Sequence, residues 1–515
     1  MGRRTLTELE VIGRIYSEGG IYTPDKIEFT LISGRKVELG EIVCIKHPRF
    51  SEKYVFYQVI DIPVRRRAKF YEEDLIRMGR YVEDPEKNYP RAIAQQIGYL
   101  DENDEVSMLL EHIKPMSEVY RPTTSLLMRL LKPKSTYTIQ VGKIYPQLSL
   151  PLYLDLRLLL RQGLLVIGGV GTGKTTTMIT VIISILEVMK ENGITPHILI
   201  IDKDGEYACK ELIALAEELG GFENVKVENV KPQVALSAEN FYRKAISILG
   251  FTPQSKEGRA IKEAAFQARE RGEKLIFNYE TLHRIVNEYV MSLSIKQVVL
   301  SKLNRIKDKL EEEDEGKIDV EEFLNIVREK AVVILDCSTA PDWNIVLSVV
   351  SAILERVYDE ALTNKDFGLI IVIDEVHFYS PQKGTFEIGE AHLYDTLEKV
   401  LKAKIATTGA RNGITLFVST QRLANVDKTL STQVGQNIIA HRVEDVDLER
   451  LKEIVGSELI SQIKLLPRGY AYVKSSATKI RRPLIVKIEP KGYPLSTERT
   501  CLYRWISSRN TSQLH

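Results

Sequence analysis

Four cysteines and two tryptophans are few for 515 residues, and the cysteines stand far apart. Cys44, Cys209, Cys337 and Cys501 form no C-x-x-C pair. That argues against a zinc site and a disulfide framework, and it points to a reducing compartment, the cytoplasm. Net charge is missing too: 71 Lys and Arg against 70 Asp and Glu leave +1, so any surface that attracts a polyanion has to be local. No apolar run reaches the roughly 18 residues of a membrane span. The longest, around Thr175–Met189, is broken by threonines and by Glu187. The opening "MGRRTLTELE" lacks the apolar core of a secretion signal. What is there is an ordinary globular composition, 44% apolar and 27% charged, long enough for several domains.

Residues 1–115 read as short alternating strands broken by turns. "KIEFTLISGRKVELGEIVCIKHP" turns at Ser33-Gly34 and "KYVFYQVIDIPV" follows, a spacing that predicts a small N-terminal β-barrel or sandwich. Arg65, Arg66, Arg67 and Lys69, followed by Glu72, Glu73 and Asp74, could touch phosphates but read better as a solvated strand end. Residues 116–150 read as a linker and a lead-in strand, with Pro122 and Pro133 bounding any helix.

From 151 to 490 strands alternate with helices. The runs "HILIID", "AVVILD", "LIIVID", "TLFVST" and "NIIAH" are short and all apolar, as suits a mainly parallel sheet covered on both faces by helices. The fold class is α/β. The interval from Asp202 to Ala331 is too long for one crossover, and its content predicts a helical insertion over about 235–330. "YAYVKSSATKIRRPLIVKI" reads as a closing hairpin, and 491–515, with Tyr503 and Trp505, as a tail. The stretch Glu311–Glu322 has the arithmetic of a calcium loop, with Gly316 sixth and Glu322 last. It carries glutamate where such a loop needs the shorter Asp or Asn, so a charged helix–turn–helix explains it better.

The chemistry centres on Gly168-Gly169-Val170-Gly171-Thr172-Gly173-Lys174-Thr175, which fits G-x-x-x-x-G-K-[ST] at every fixed position. Apolar Leu164–Ile167 precedes it as a strand, and a helix follows. Such a loop turns backbone N–H groups toward phosphates at the positive end of the helix. Residues 168–176, Thr176 included, are therefore the expected ATP-binding residues, with Lys174 reaching the β/γ-phosphates and Thr175 ligating Mg²⁺. Asp374-Glu375 closes "GLIIVIDE". Asp374 is the second expected Mg²⁺ ligand, and Glu375 the base that polarises the attacking water. The strand ending at Ser419-Thr420-Gln421 offers Gln421 to the γ-phosphate or the water. Arg411 or Arg422 could reach a neighbouring subunit's nucleotide and stabilise transition-state charge.

Together these blocks resemble the HerA/FtsK branch of RecA-like motor ATPases, and HerA more than FtsK. "LIIDKDGEY" is similar to HerA's D-x-x-G-E-Y strand, through Asp202, Gly205, Glu206 and Tyr207. "VIDEVHFY" is similar to its acidic strand followed by histidine, here His377. "TLFVSTQRL" and "LSTQVGQNIIAHRVEDVD" resemble its sensor strand and the segment after it, through Gln433, His441, Arg442 and Asp447. Two positions depart from the pattern. The family arginine three residues before Gly413 is Ala410, with the arginine moved to Arg411, and the histidine before the phosphate-loop strand is replaced by Gln162-Gly163.

The resemblance implies a RecA-like core behind a barrel domain. It also implies a hexameric ring that translocates on double-stranded DNA through basic pore loops, without a membrane. In archaea such a motor works with a NurA-like nuclease and the end-resection machinery. Arg411 or Arg442 would complete the neighbour's site. Of the two, Arg411 is favoured, because it lies one residue from the family position and directly before the sensor strand, while Arg442 reads as a structural or salt-bridging residue beside Glu444 and Asp445. Rival readings are a VirB4-like secretion or conjugation ATPase and an ATP-switched assembly protein that does not translocate.

Overall fold

The computed structural model describes residues 9–16, 22–66, 88–231, 238–273, 275–307, 317–340, 342–383, 391–456 and 460–494. Arg67 to Asp74, Glu311 to Gly316, and the tail with Tyr503 and Trp505 lie outside them. The chain divides into two compact units. The first runs to Val188 and regains Thr420–Ala424 and Val434–Tyr493; the second holds Met189–Ser419 and Asn425–Gln433.

The first unit begins with β1 (Glu10–Ile15), β2 (Lys26–Leu31), β3 (Ile42–Lys46), β4 (Tyr54–Asp61), β5 (Val64–Arg66), β6 (Asn88–Leu100), β7 (Val106–Ser107) and β8 (Glu118–Arg121). Six of these follow the order β2-β1-β8-β3-β4-β6, and antiparallel pairing of β2 with β6 closes the ring. Closure removes the exposed edges that an open sheet of this size would carry. Alternation sets the filling: Ile27, Phe29 and Leu31 of β2 point inward, against Val43, Val55 and Tyr57.

The stretch between the two prolines is packed, not loose. Thr123 caps a helix, Thr124–Leu131, whose Leu127, Leu130 and Leu131 are buried. Then come β9 (Thr138–Ile144), β10 (Pro151–Asp155), a short helix Leu156–Gln162, β11 (Leu164–Ile167) and the helix Lys174–Glu191.

The second unit holds β12 (Ile198–Asp202), β13 (Phe222–Lys226), β14 (Val332–Asp336), β15 (Leu369–Ile373) and β16 (Ile414–Thr420). They lie in the order β16-β15-β12-β14-β13, every pair parallel. Strands β12, β14, β15 and β16 are buried at every position, which explains their unbroken apolar runs. The insertion contains the helices Ala238–Leu249, Lys256–Glu270, Tyr279–Tyr289 and Leu293–Arg305 around their own core of Phe241, Ile261, Leu282, Ile285 and Val299. Glu322, last position of the calcium-like spacing, is taken up by a reciprocal capping box with Asp319, both bonds 2.8 Å, that starts the helix Val320–Glu329.

The chain returns to the first unit as β17 (Asn437–Ala440), β18 (Tyr470–Ser475) and β19 (Leu484–Ile488). There the order is β10-β9-β19-β18-β17-β11. Only β11 and β17 are parallel; the remaining pairs are antiparallel, so the sheet strands are mixed rather than uniformly parallel. The closing hairpin thereby meets the lead-in strand. No helix among the described residues is long and apolar enough to cross a membrane.

Candidate nucleotide site

The phosphate loop follows four fully buried residues of β11 and runs into the long helix at Lys174. Its glycines have separate reasons. Gly171 and Gly173 have φ of 69° and 117°, where an L side chain is strained. Gly168 has no room: a Cβ there would lie 2.6 Å from Thr172 Oγ1 and 2.7 Å from His441 Cβ. The Gly168 amide donates to Thr420 O (3.3 Å), the Gly169 amide to Arg442 O (2.9 Å), and Thr172 Oγ1 to Gly169 O (2.8 Å). The amides of Gly171 and Gly173 make no hydrogen bond among the described residues, so they remain as donors at the positive end of the helix. Val170 is 82% exposed, Lys174 is buried, and Thr175 and Thr176 are half-buried in the first helical turn.

The bond from Gly168 to Thr420 sets Gln421, the next residue, beside the root of the loop. Arg422 pairs with Glu444 at 2.6 Å, and Asp445 pairs with Lys464. Of the two roles expected for Arg442, structural or salt-bridging, the salt bridge to its acidic neighbours is not made. Its neighbouring acids are taken by other cations, its side chain is exposed, and its backbone carbonyl holds Gly169.

His441 is the residue the sequence left without a role. It is fully buried, with Nε2 2.8 Å from Thr177 Oγ1 and Nδ1 2.9 Å from Tyr470 O. The carbonyl can only accept, so Nδ1 carries the proton and Nε2 accepts from the threonine. Burial pushes its pKa down to about 4, and the charge of Lys174 acts in the same direction. A neutral ring therefore braces the loop from below. Its signal in the sequence was a single polar residue closing an apolar strand.

In the second unit the acids gather at strand ends. Asp202 accepts the amides of Gly205 (2.8 Å) and Tyr207 (2.9 Å), which accounts for the D-x-x-G-E-Y spacing. Tyr207 in turn donates its hydroxyl to Asp374 Oδ1 (3.3 Å), and Ser419 Oγ donates to the same oxygen. Asp374 Oδ2 has no donor among the described residues. Burial raises the pKa of Asp202 to about 6. Burial, then the charge of Glu375, pushes Asp374 well above the ordinary carboxylate range.

Glu375 sits at φ 48° and ψ 53°, a left-handed conformation that glutamate rarely adopts and that functional sites tend to hold. Its Oε2 is 3.3 Å from His377 Nδ1. Arg411 lies on the 3-10 turn Gly409–Asn412, exposed and with no partner among the described residues. The eight-residue π-helix Lys399–Ala406 leads to that turn.

Among the described residues no three His, Cys, Asp or Glu side chains converge as a metal site. The Thr175 hydroxyl in the first unit and the Asp374 carboxylate in the second are each hard oxygens, the ligand type that Mg²⁺ takes. A divalent cation at Asp374 would favour the ionised form that burial opposes.

A strand, a glycine loop built this way and a separate acidic strand end define a P-loop nucleoside triphosphatase with a RecA-like core. A family model described as the central domain of the helicase HerA matches residues 139–357. The DNA double-strand break repair helicase HerA of Sulfurisphaera tokodaii is 22% identical over 410 residues, 73% of this chain and 74% of that protein. A probable helicase of Methanocaldococcus jannaschii is 24% identical over 420 residues, covering 75% and 77%. Among solved structures, VirB4 of Thermoanaerobacter pseudethanolicus superposes with a TM-score of 0.44 at 13% identity, over 70% of this chain and 98% of that one. Over these stretches the chain is similar to the HerA helicases, and it is an enzyme that hydrolyses ATP.

Proposed function

We propose that this ATPase is a ring motor, a hexamer, that translocates on double-stranded DNA in DNA end processing, in the cytoplasm, alongside a NurA-like nuclease. The observation that carries this reading is the HerA likeness, which extends over about three quarters of this chain and of both relatives. In this reading ATP lies on the 168–176 loop with Lys174 on its β/γ-phosphates. Thr175 and Asp374 would hold Mg²⁺, which would screen the phosphate charge, and Glu375 takes the proton of the attacking water. Gln421 orients that water. Arg411, exposed and unpaired among the described residues, serves the neighbouring subunit's nucleotide. The experiment is ATPase rate with and without linear duplex DNA, on protein of measured oligomeric mass. A several-fold stimulation on a ring supports the motor. A rate indifferent to DNA, on a ring or a monomer, overturns it in favour of an ATP-driven assembly switch.

A further inference from the structure

Within the first unit a cleft of about 630 Å³ opens beside the β18–β19 turn. Its place separates it from the nucleotide loop. β11 and β17 run parallel, and the loop and His441 follow their C-terminal ends. The cleft is reached from their other ends: Gln436, which precedes β17, lines it, and the lining residue Ser476 bonds Gln162, which precedes β11. A four-residue strand spans about 13 Å.

Five cations line the cleft: Lys134, Arg157, Lys474, Lys479 and Arg481. Only two carboxylates, Glu105 and Asp155, oppose them. Glu105 is taken by Lys134 at 2.9 Å. Asp155 caps its own helix through the Arg157 amide and meets the Arg157 guanidinium only at 3.7 Å. Lys479 is tied to Asp104. Lys474 reaches the Val455 carbonyl and no acid, and exposed Arg481 has no partner among the described residues. The excess positive charge is thus unspent.

The floor is fixed before any ligand arrives. Buried Asn437 donates to Gly163 O (2.8 Å) and accepts from Ser475 Oγ (2.6 Å) and the Ala477 amide (3.2 Å), while the Asp155 amide holds Ala477 O (2.8 Å). The lining hydroxyls already donate within the protein, Ser475 to Asn437, Ser476 to Gln162 and Thr478 to Ser475 O, so the free donors are the cations, and no aromatic ring lines the cleft. Cations without a stacking surface recognise phosphate, not bases.

We propose that this cleft is a second phosphate-binding site, gripping phosphate groups of a nucleic-acid backbone without reading sequence. The phosphate chemistry stands by itself; DNA as its source rests on the motor reading above.

The test uses the full chain and the double variant Arg157→Ala/Arg481→Ala, both exposed positions, with thermal unfolding as the check on folding. Labelled duplex DNA binding is titrated at several salt concentrations. The variant should bind roughly tenfold more weakly, with a log–log salt slope smaller by about 2, equally for unrelated sequences, and with unchanged unstimulated ATPase. In a second arm, tripolyphosphate is titrated calorimetrically into Lys174→Ala protein with and without the double substitution. Loss of tripolyphosphate binding with unchanged DNA binding retains the phosphate site and overturns DNA as its source. If wild-type protein binds no DNA at all, the motor reading fails while this arm still decides the cleft. Equal binding of both probes by parent and variant overturns the proposal. Arg157→Glu, expected to weaken both further, settles the matter if the double variant is unstable.

Discussion

The phosphate loop and the carboxylate cluster both handle charge, by opposite means. The loop works with main-chain amides, and its side chains are mostly absent: four glycines, one exposed valine, one buried lysine. The cluster works with side chains drawn from separate segments. Asp202, Tyr207, Asp374 and Ser419 share one buried environment that sets their protonation. A main-chain site depends on conformation, so its changes should be all-or-none. A side-chain site depends on surroundings, so its changes should be graded.

The largest effect is expected at Arg411. Arg411→Ala should leave ATP binding nearly intact and cut turnover by up to the roughly 10³- to 10⁵-fold that such arginines contribute elsewhere. Mixing it with Glu375→Gln subunits should restore part of the activity, since some interfaces then pair a working base with a working arginine. Wild-type turnover by Arg411→Ala, or mixtures no better than either parent, sinks the shared site. Arg442→Ala, whose side chain pairs with neither of its acidic neighbours, is the matched control.

Next come Glu375 and Lys174, one from each region. Glu375→Gln should keep ATP binding and lose about 10²- to 10⁴-fold in hydrolysis, whereas Lys174→Ala should lose binding itself. Measured nucleotide affinity separates the two. Near-normal turnover by Glu375→Gln would remove it as the base.

Legibility in the sequence follows the same division. The loop was readable because backbone conformation writes itself as glycine spacing. The barrel was readable as alternation, but its closure was not, since β2 meets β6 across a long stretch of chain. Edge strand β13, Phe222–Lys226, is mostly polar and half-exposed, so no apolar run announced it. The convergence of Tyr207 and Ser419 on Asp374 depends on neighbouring parallel strands, which spacing along the chain does not encode. His441 was visible as a letter and not as a brace, because its role depends on Thr177 and Tyr470.

A smaller effect distinguishes glycines within the loop. Gly168→Ala places a Cβ against Thr172 and the His441 stem and should cost about 1–3 kcal/mol, the usual range for overpacking. At Gly169 the nearest atom to an added Cβ is 3.6 Å away, so Gly169→Ala should barely move thermal stability. Equal melting temperatures for the two variants would show that room at Gly168 is not what fixes its identity.

The smallest effect sets the two regions against each other through pH. His441 is lowered from its ordinary 6.5 to about 4, so between those values the unfolded chain binds the extra proton. Its contribution to stability is complete above the unfolded value and is lost as pH falls through the window, by about 1 kcal/mol near pH 5.5. Asp202 is raised from 3.8 to about 6, so there the folded chain binds the extra proton and acid favours the fold. In wild-type protein the two partly cancel, and a flat profile would say nothing about either. His441→Gln removes one: glutamine can still donate to Tyr470 O and accept from Thr177, but it does not titrate. Denaturant unfolding of both proteins from about pH 7 to about pH 5.5 should therefore show the variant gaining on wild type as pH falls, by about that same 1 kcal/mol. Parallel pH profiles would mean that His441 is not the neutral brace beneath the loop.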